Sequence, residues 1–103
     1  MATIEGTAVK QIVVACEAGM GSSVLLTNQL ASRLKSYGVT VRHSPVNRLS
    51  AADTDLVLCH QGLADRARQA VPGTVVMPFQ LFMGDPAFDV LEAAIRDGGT
   101  LDG

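Results

Sequence analysis

No apolar run in this 103-residue chain approaches the ~20 residues needed to cross a bilayer. The stretch Met1-Ala2-Thr3-Ile4-Glu5-Gly6 has neither the basic start nor the apolar segment of a secretory signal. The expectation is a soluble, cytoplasmic chain that does not itself span a membrane. Cysteine is scarce: Cys16 and Cys59 are too few for a disulfide framework, and as free thiols they suit a reducing compartment. Charge is sparse as well. Eight basic side chains against ten acidic ones leave a formal charge of −2, which offers no electrostatic footprint for nucleic acid. With 48% hydrophobic and 17% charged residues, neither disorder nor a coiled coil fits. Internal repeats, low-complexity segments and interdomain linkers are missing. The reading is a leader over residues 1–8, one domain over 9–97 and a flexible tail over 98–103. A core of this size buries roughly two-thirds of the surface exposed on unfolding.

What is present is an alternation of short apolar runs and helical stripes. Gln11-Ile12-Val13-Val14-Ala15 reads as a strand buried on both faces. After a glycine-containing loop, Leu26, Leu30, Leu34 and Tyr37 share one helix face, and Gly38 supplies a stop. Val39-Thr40-Val41 begins a second strand, Ser50-Ala51-Ala52-Asp53 is a small polar connection, and Asp55 to His60 is a third strand. A helix over Leu63 to Val71 is stopped by Pro72-Gly73, and Thr74 to Phe79 is a fourth strand. Pro86 to Arg96 closes the chain as a helix, with Asp85 as N-cap, Phe88, Leu91 and Ile95 as its buried stripe and Gly98-Gly99 as terminator. This order predicts an α/β fold: an open, mainly parallel four-stranded sheet, strand order 2-1-3-4, with helices on both faces.

In such sheets ligands bind beyond the carboxyl ends of the strands. The segment Cys16-Glu17-Ala18-Gly19-Met20-Gly21-Ser22-Ser23 occupies that place after the first strand. Gly19 and Gly21 free the backbone to turn successive N–H groups inward, and a helix starting near Ser22 adds unsatisfied donors and partial positive charge. The result is a cradle for a phosphate, and a helix N-terminus also favours thiolate over thiol. Ser22 and Ser23 can donate to sulfur or phosphoryl oxygen, whereas Glu17 opposes added negative charge and is expected to face solvent. A nucleophile, glycines and a helix start together are what a covalent phosphoryl intermediate requires. The bland reading, Cys16 as a small buried hydrophobe at a strand end, competes with it.

Other phosphate loops fail at particular positions. Walker A needs a Gly-Lys-Ser/Thr that this loop lacks. A dinucleotide fingerprint starting at Gly19 would place its third glycine at Val24, and the acidic residue after the second strand is absent. A C-x5-R cysteine phosphatase would have arginine where Ser22 stands. Without that guanidinium, attack by water is poorly assisted, and transfer fits better than hydrolysis.

The run Val14-Ala15-Cys16-Glu17-Ala18-Gly19-Met20-Gly21-Ser22-Ser23 resembles the enzyme IIB domains of the bacterial phosphoenolpyruvate-dependent sugar phosphotransferase system, in particular the mannitol type. His60-x-x-Leu63-x-Asp65-Arg66-Ala67 resembles that family's segment after the third strand, and the likeness covers roughly residues 9 to 96. The resemblance implies a cysteine, here Cys16, phosphorylated by the phosphohistidine of a IIA protein, with Ala18 to Ser23 as backbone cradle. It further implies onward transfer to a sugar, mannitol or a related polyol, in the membrane-embedded IIC partner at the inner face of the membrane. Departures are Glu17 for aspartate, Val24-Leu25-Leu26-Thr27 for smaller residues and Cys59 for threonine. No metal or other cofactor is needed for histidine-to-cysteine transfer.

Several residues carry two readings. Met20 at the loop tip is either a partner contact or a tolerated loop residue. His60 either assists the phosphoryl group or makes only a local bond. Asp65 and Arg66 are a docking patch or solvated charges, and Asp85-Pro86 is a helix cap or the general-acid pair of a small cysteine phosphatase. Cys59 is a core residue or an oxidative partner of Cys16. Zinc held by Cys16, Cys59, His43 and His60 lacks the usual ligand spacings. The alternatives to phosphoryl carriage are a low-molecular-weight cysteine phosphatase and a phosphorylation-dependent regulatory IIB-like domain.

Overall fold

A computed structural model describes residues 3–16, 21–50, 52, 54–81 and 84–102, with 21–23 described for backbone only. Ala51 and Asp53 of the expected polar connection lie outside them. The strands are β1 (Thr3–Glu5), β2 (Gln11–Cys16), β3 (Thr40–Pro45), β4 (Leu56–His60), β5 (Val75–Phe79) and β6 (Thr100–Asp102). The helices are α1 (Gly21–Leu34), α2 (Ala64–Ala70) and α3 (Pro86–Asp97). Four strands form a parallel sheet in the order β3-β2-β4-β5, the topology expected from the sequence.

The crossovers cover both faces, and the strands are apolar on both sides as such sheets demand. Ile12, Val14, Leu56, Leu58, Val75 and Met77 meet Leu26, Leu30 and Leu34 of α1 and Phe88, Leu91 and Ile95 of α3. The opposite face carries Ala15, Val57, Cys59 and Val76 against Leu63, Ala64, Ala67 and Val71 around α2. Arg33 of α1 reaches Asp89 and Glu92 of α3, an exposed contact worth at most about 1 kcal/mol. Burial of the two apolar stripes holds the layer.

Helix ends follow local chemistry. Gly38 and Gly98 take the left-handed backbone that closes their helical segments. Asp85 Oδ1 accepts the Ala87 N–H at 2.9 Å, and Pro86 opens α3. The second helix is shorter than its apolar pattern suggests. Gln61–Leu63 winds as a tighter 3₁₀ turn, because His60 Nδ1 takes the Gly62 N–H at 3.2 Å before α2 begins. At the amino ends of the strands, Asp55 Oδ2 accepts the N–H groups of both Lys10 and Gln11 at 2.9 Å. The Asp55 N–H in turn donates to the Gln11 carbonyl. Edge strand β5 contains Pro78, a residue tolerated at edges because it cannot donate to a ladder. Among the described residues no helix is long and apolar enough to cross a membrane.

The terminal segments differ from the expected leader and flexible tail. Thr3–Glu5 and Thr100–Asp102 pair antiparallel as a separate two-stranded sheet, with Ile4 opposite Leu101. Both of these residues pack on the main core, which gives the pair an apolar anchor that period-two reading of three-residue segments does not reveal. Gly6 links the pair to α3: its N–H donates to the Gly99 carbonyl at 2.7 Å. A Cβ on Gly6 would fall on the backbone carbonyl of Ala94. Gly6→Ala is therefore expected to destabilise the chain by about 1–3 kcal/mol, as overpacking against backbone does. Urea unfolding reads this as a lower midpoint, and a midpoint equal to wild type would mean that the close approach is not sustained.

Candidate functional site

Sheet geometry decides where the candidate side chains lie. Cys16 is the last residue of β2, and α1 begins at Gly21, so the loop expected to cradle an anion joins a strand's carboxyl end to a helix N-terminus. Glu17, Ala18, Gly19 and Met20 lie outside the described residues. Gly21, Ser22 and Ser23 form the opening turn of α1, so the helix starts one residue earlier than the sequence suggests. Four amide groups of such a turn lack intrahelical partners and carry partial positive charge.

Cys16 is 7% exposed, and its Sγ donates weakly to the Ser44 carbonyl at 3.6 Å. Among the described residues it joins neither apolar cluster. Side chains alternate along a strand, so Cys16 follows Ile12 and Val14 onto the face of α1 and α3. Cys59 lies on the other face, within the α2 cluster, and is fully buried. The two thiols therefore project from opposite sides, which removes both the oxidative pairing and a shared zinc site. Burial pushes the Cys59 thiol up to about 11, with Arg68 opposing weakly.

His60 ends β4, the neighbour of β2. Val14 pairs with Leu58 and Ala15 with Cys59, so one step further Cys16 and His60 occupy adjacent strand ends on the same face. The His60 ring lies edge-on to Phe79, with centroids 6.1 Å apart. Its Nδ1 accepts from Gly62, which puts the proton of the neutral ring on Nε2. The local bond is thus present, and so is the placement beside Cys16.

Asp65 is exposed and pairs with Arg68 one turn on, at 3.6 Å, and Arg66 is also exposed. Asp85 is committed to backbone. Its carboxyl accepts N–H groups of Ala87, Leu81 and Gln80, which hold it below the ordinary 3.8. A carboxylate stabilised in its charged form is a poor proton donor, so the structure favours the cap over a phosphatase general acid. Apolar side chains at the same sheet edge were not singled out from sequence. Leu25, 64% exposed, follows the helix start, and Leu81, 57% exposed, follows β5. The signal was available in Val24-Leu25-Leu26, where only Leu26 fits the buried stripe.

Residues 11–92 match the family model described as "PTS system, Lactose/Cellobiose specific IIB subunit". The chain belongs to the PTS IIB family. This IIB chain is 36% identical over 85 residues to the PTS system mannitol-specific EIICB component of Geobacillus stearothermophilus, covering 81% of the chain and 18% of that protein. It is 38% identical over 85 residues to the mannitol-specific EIICBA component of Vibrio cholerae, covering 81% and 13%. With the Escherichia coli K12 EIICBA component it shares 40% over 67 residues, or 62% and 10%. The IIB chain thus spans less than a fifth of these relatives.

Two outcomes follow. At pH 8 the native protein should leave Cys59 unmodified by iodoacetamide until denaturant is added, as peptide mapping reads; rapid native labelling would contradict its burial. Asp85→Ala should cost about 1 kcal/mol at pH 7, the usual loss for a cap. Because the folded carboxyl titrates below 3.8, wild type holds this advantage above that pH and loses it as acid protonates the folded form. Urea midpoints that differ equally at pH 7 and well below 3.8 would refute the assignment.

Proposed function

We propose that Cys16 carries a phosphoryl group from the phosphohistidine of a IIA protein to a sugar, mannitol or a related polyol, bound by a membrane-embedded IIC component. The observation that carries this reading is a thiol at the carboxyl end of β2, where the chain of a IIB-family protein turns into the N-terminus of α1. In the first step the Cys16 sulfur attacks phosphorus, an S–P bond forms as the N–P bond of the donor histidine breaks, and the thiol proton passes to the released imidazole nitrogen. In the second, a sugar hydroxyl attacks the same phosphorus, S–P breaks and the hydroxyl proton is lost. Such transfers depend on positioning and charge stabilisation. The amides of Ala18, Gly19, Met20, Gly21, Ser22 and Ser23 are proposed as the cradle, and His60 as an accessory donor through Nε2–H.

The fusions named EIICB and EIICBA support partnership with IIC and IIA, since those relatives join the components in one polypeptide. The mannitol names of these relatives favour a polyol over the sugars in the family description. Docking at the sheet edge would cover Leu25 and Leu81 and hold the protein at the inner membrane face through IIC.

Incubation with the phosphorylated upstream proteins should add one phosphoryl group by intact mass, and Cys16→Ser should add none. An unmodified wild-type mass would overturn the proposal. Steady turnover of an aryl phosphate by the isolated chain would favour the phosphatase reading instead.

A further inference from the structure

Two contacts from the end of β5 bear on His60. The first acts on the ring. Phe79 pairs with His60 in the register of β5 on β4, so the two side chains share a face. Their rings meet at 90° with centroids 6.1 Å apart, and Phe79, 2% exposed, is backed by Phe88 of α3 at 5.3 Å. Edge-to-face contact favours one orientation of a ring, and a close-packed phenyl yields little to a turning imidazole. The second contact acts on the backbone. Gln61 directly follows His60, and its Oε1 accepts from Gln80 Nε2 at 2.8 Å. Gln80 is itself fixed, because its N–H and that of Leu81 donate to Asp85 Oδ2 at 2.8 and 3.0 Å. A carboxylate at the start of α3 thus steadies the turn after β5, and that turn steadies the one after β4.

With the Gly62 N–H on Nδ1, the backbone, the ring plane and the tautomer of His60 are each set by a separate contact. A helix cap needs only an acceptor, which Asn, Asp or Ser supplies with less side chain to hold. The surplus of restraint falls on the imidazole, whose strand end lies beside that of Cys16, on the same face and ~4.8 Å away across the sheet. We propose that Phe79 and Gln80 are positioning residues for phosphoryl transfer: they hold the His60 ring so that Nε2–H meets the phosphoryl oxygens as the group passes through Cys16. The proposal rests on Cys16 being the carrier. The ring donates a hydrogen bond and keeps its proton, so no bond is made or broken at His60. A donor oriented beforehand loses no freedom at the moment of transfer, which is how preorganisation lowers a barrier. The requirement is that the ring be placed, whatever else it touches.

The test is single-turnover transfer from a phosphorylated IIA donor to the full chain, followed by rapid quench and intact mass. His60→Asn keeps a capping acceptor but removes Nε2–H, and should slow the rate at saturating donor about tenfold, the usual loss for a charge-assisted hydrogen bond. Phe79→Leu should slow it about two- to tenfold, the equivalent of one aromatic pair. Gln80→Ala, at an exposed position that leaves the core untouched, should slow it about threefold. The donor concentration at half-saturation should stay the same in all three. In a His60→Asn background neither Phe79→Leu nor Gln80→Ala should slow transfer further, because their effect runs through the imidazole. Long-range ¹H–¹⁵N spectra should show one Nε2–H tautomer for His60 in the wild type and averaged imidazole shifts in Phe79→Leu, with the amides of β2 unmoved. Full rates in Phe79→Leu and Gln80→Ala, or equal losses with and without the imidazole, would overturn the proposal and leave Cys16 as carrier. A wild type that takes up no phosphate would overturn the carrier reading and this inference together.

Discussion

A parallel sheet joined by crossover connections must bury both faces, and each side chain's face is set by its odd or even place along the strand. In this IIB chain that alternation governs the chemistry. It sends Cys16 and Cys59, on neighbouring strands, to opposite sides of the sheet, so one thiol stands at a strand end beside a helix start and the other becomes core. It sets His60 on the side of Cys16, and it turns Val13 and Arg42 toward the face of α2. A one-residue slip in β2 would exchange these faces and move the Cys16 side chain to the side of Cys59.

The sheet is tied firmly at the end remote from Cys16. Asp55 gathers the amides of Lys10 and Gln11, and the Thr40 N–H donates to Lys10, so three strands share one anchored base. The carboxyl ends carry the loops, the exposed Leu25 and Leu81, and the Asp85 bonds that shape the turn after β5. A fixed base with chemistry at the opposite rim is the usual division of labour in open α/β folds.

The main sheet, its order and its three helices were legible because their apolar runs are long enough to show a period and end in glycine, proline or aspartate with definite roles. The place of Cys16 at a strand-to-helix junction was legible because glycines and serines follow the apolar run there. The β1–β6 pair was not: three residues give no period, and their stability comes from Ile4 and Leu101 reaching a core assembled elsewhere in the chain. The 3₁₀ turn before α2 depends on a side-chain bond from His60, which an apolar pattern does not encode.

Pro78 has a consequence for self-association. Sheets grow sideways when an outer strand offers an unbroken row of donors and acceptors to another molecule. On one flank Pro78 removes a donor from that row, and on the other β3 exposes the polar Arg42 and His43, whose hydration resists stacking against a second copy. Neither margin is a good template for polymerisation. The main sheet is thereby kept from extending edge to edge into a second copy.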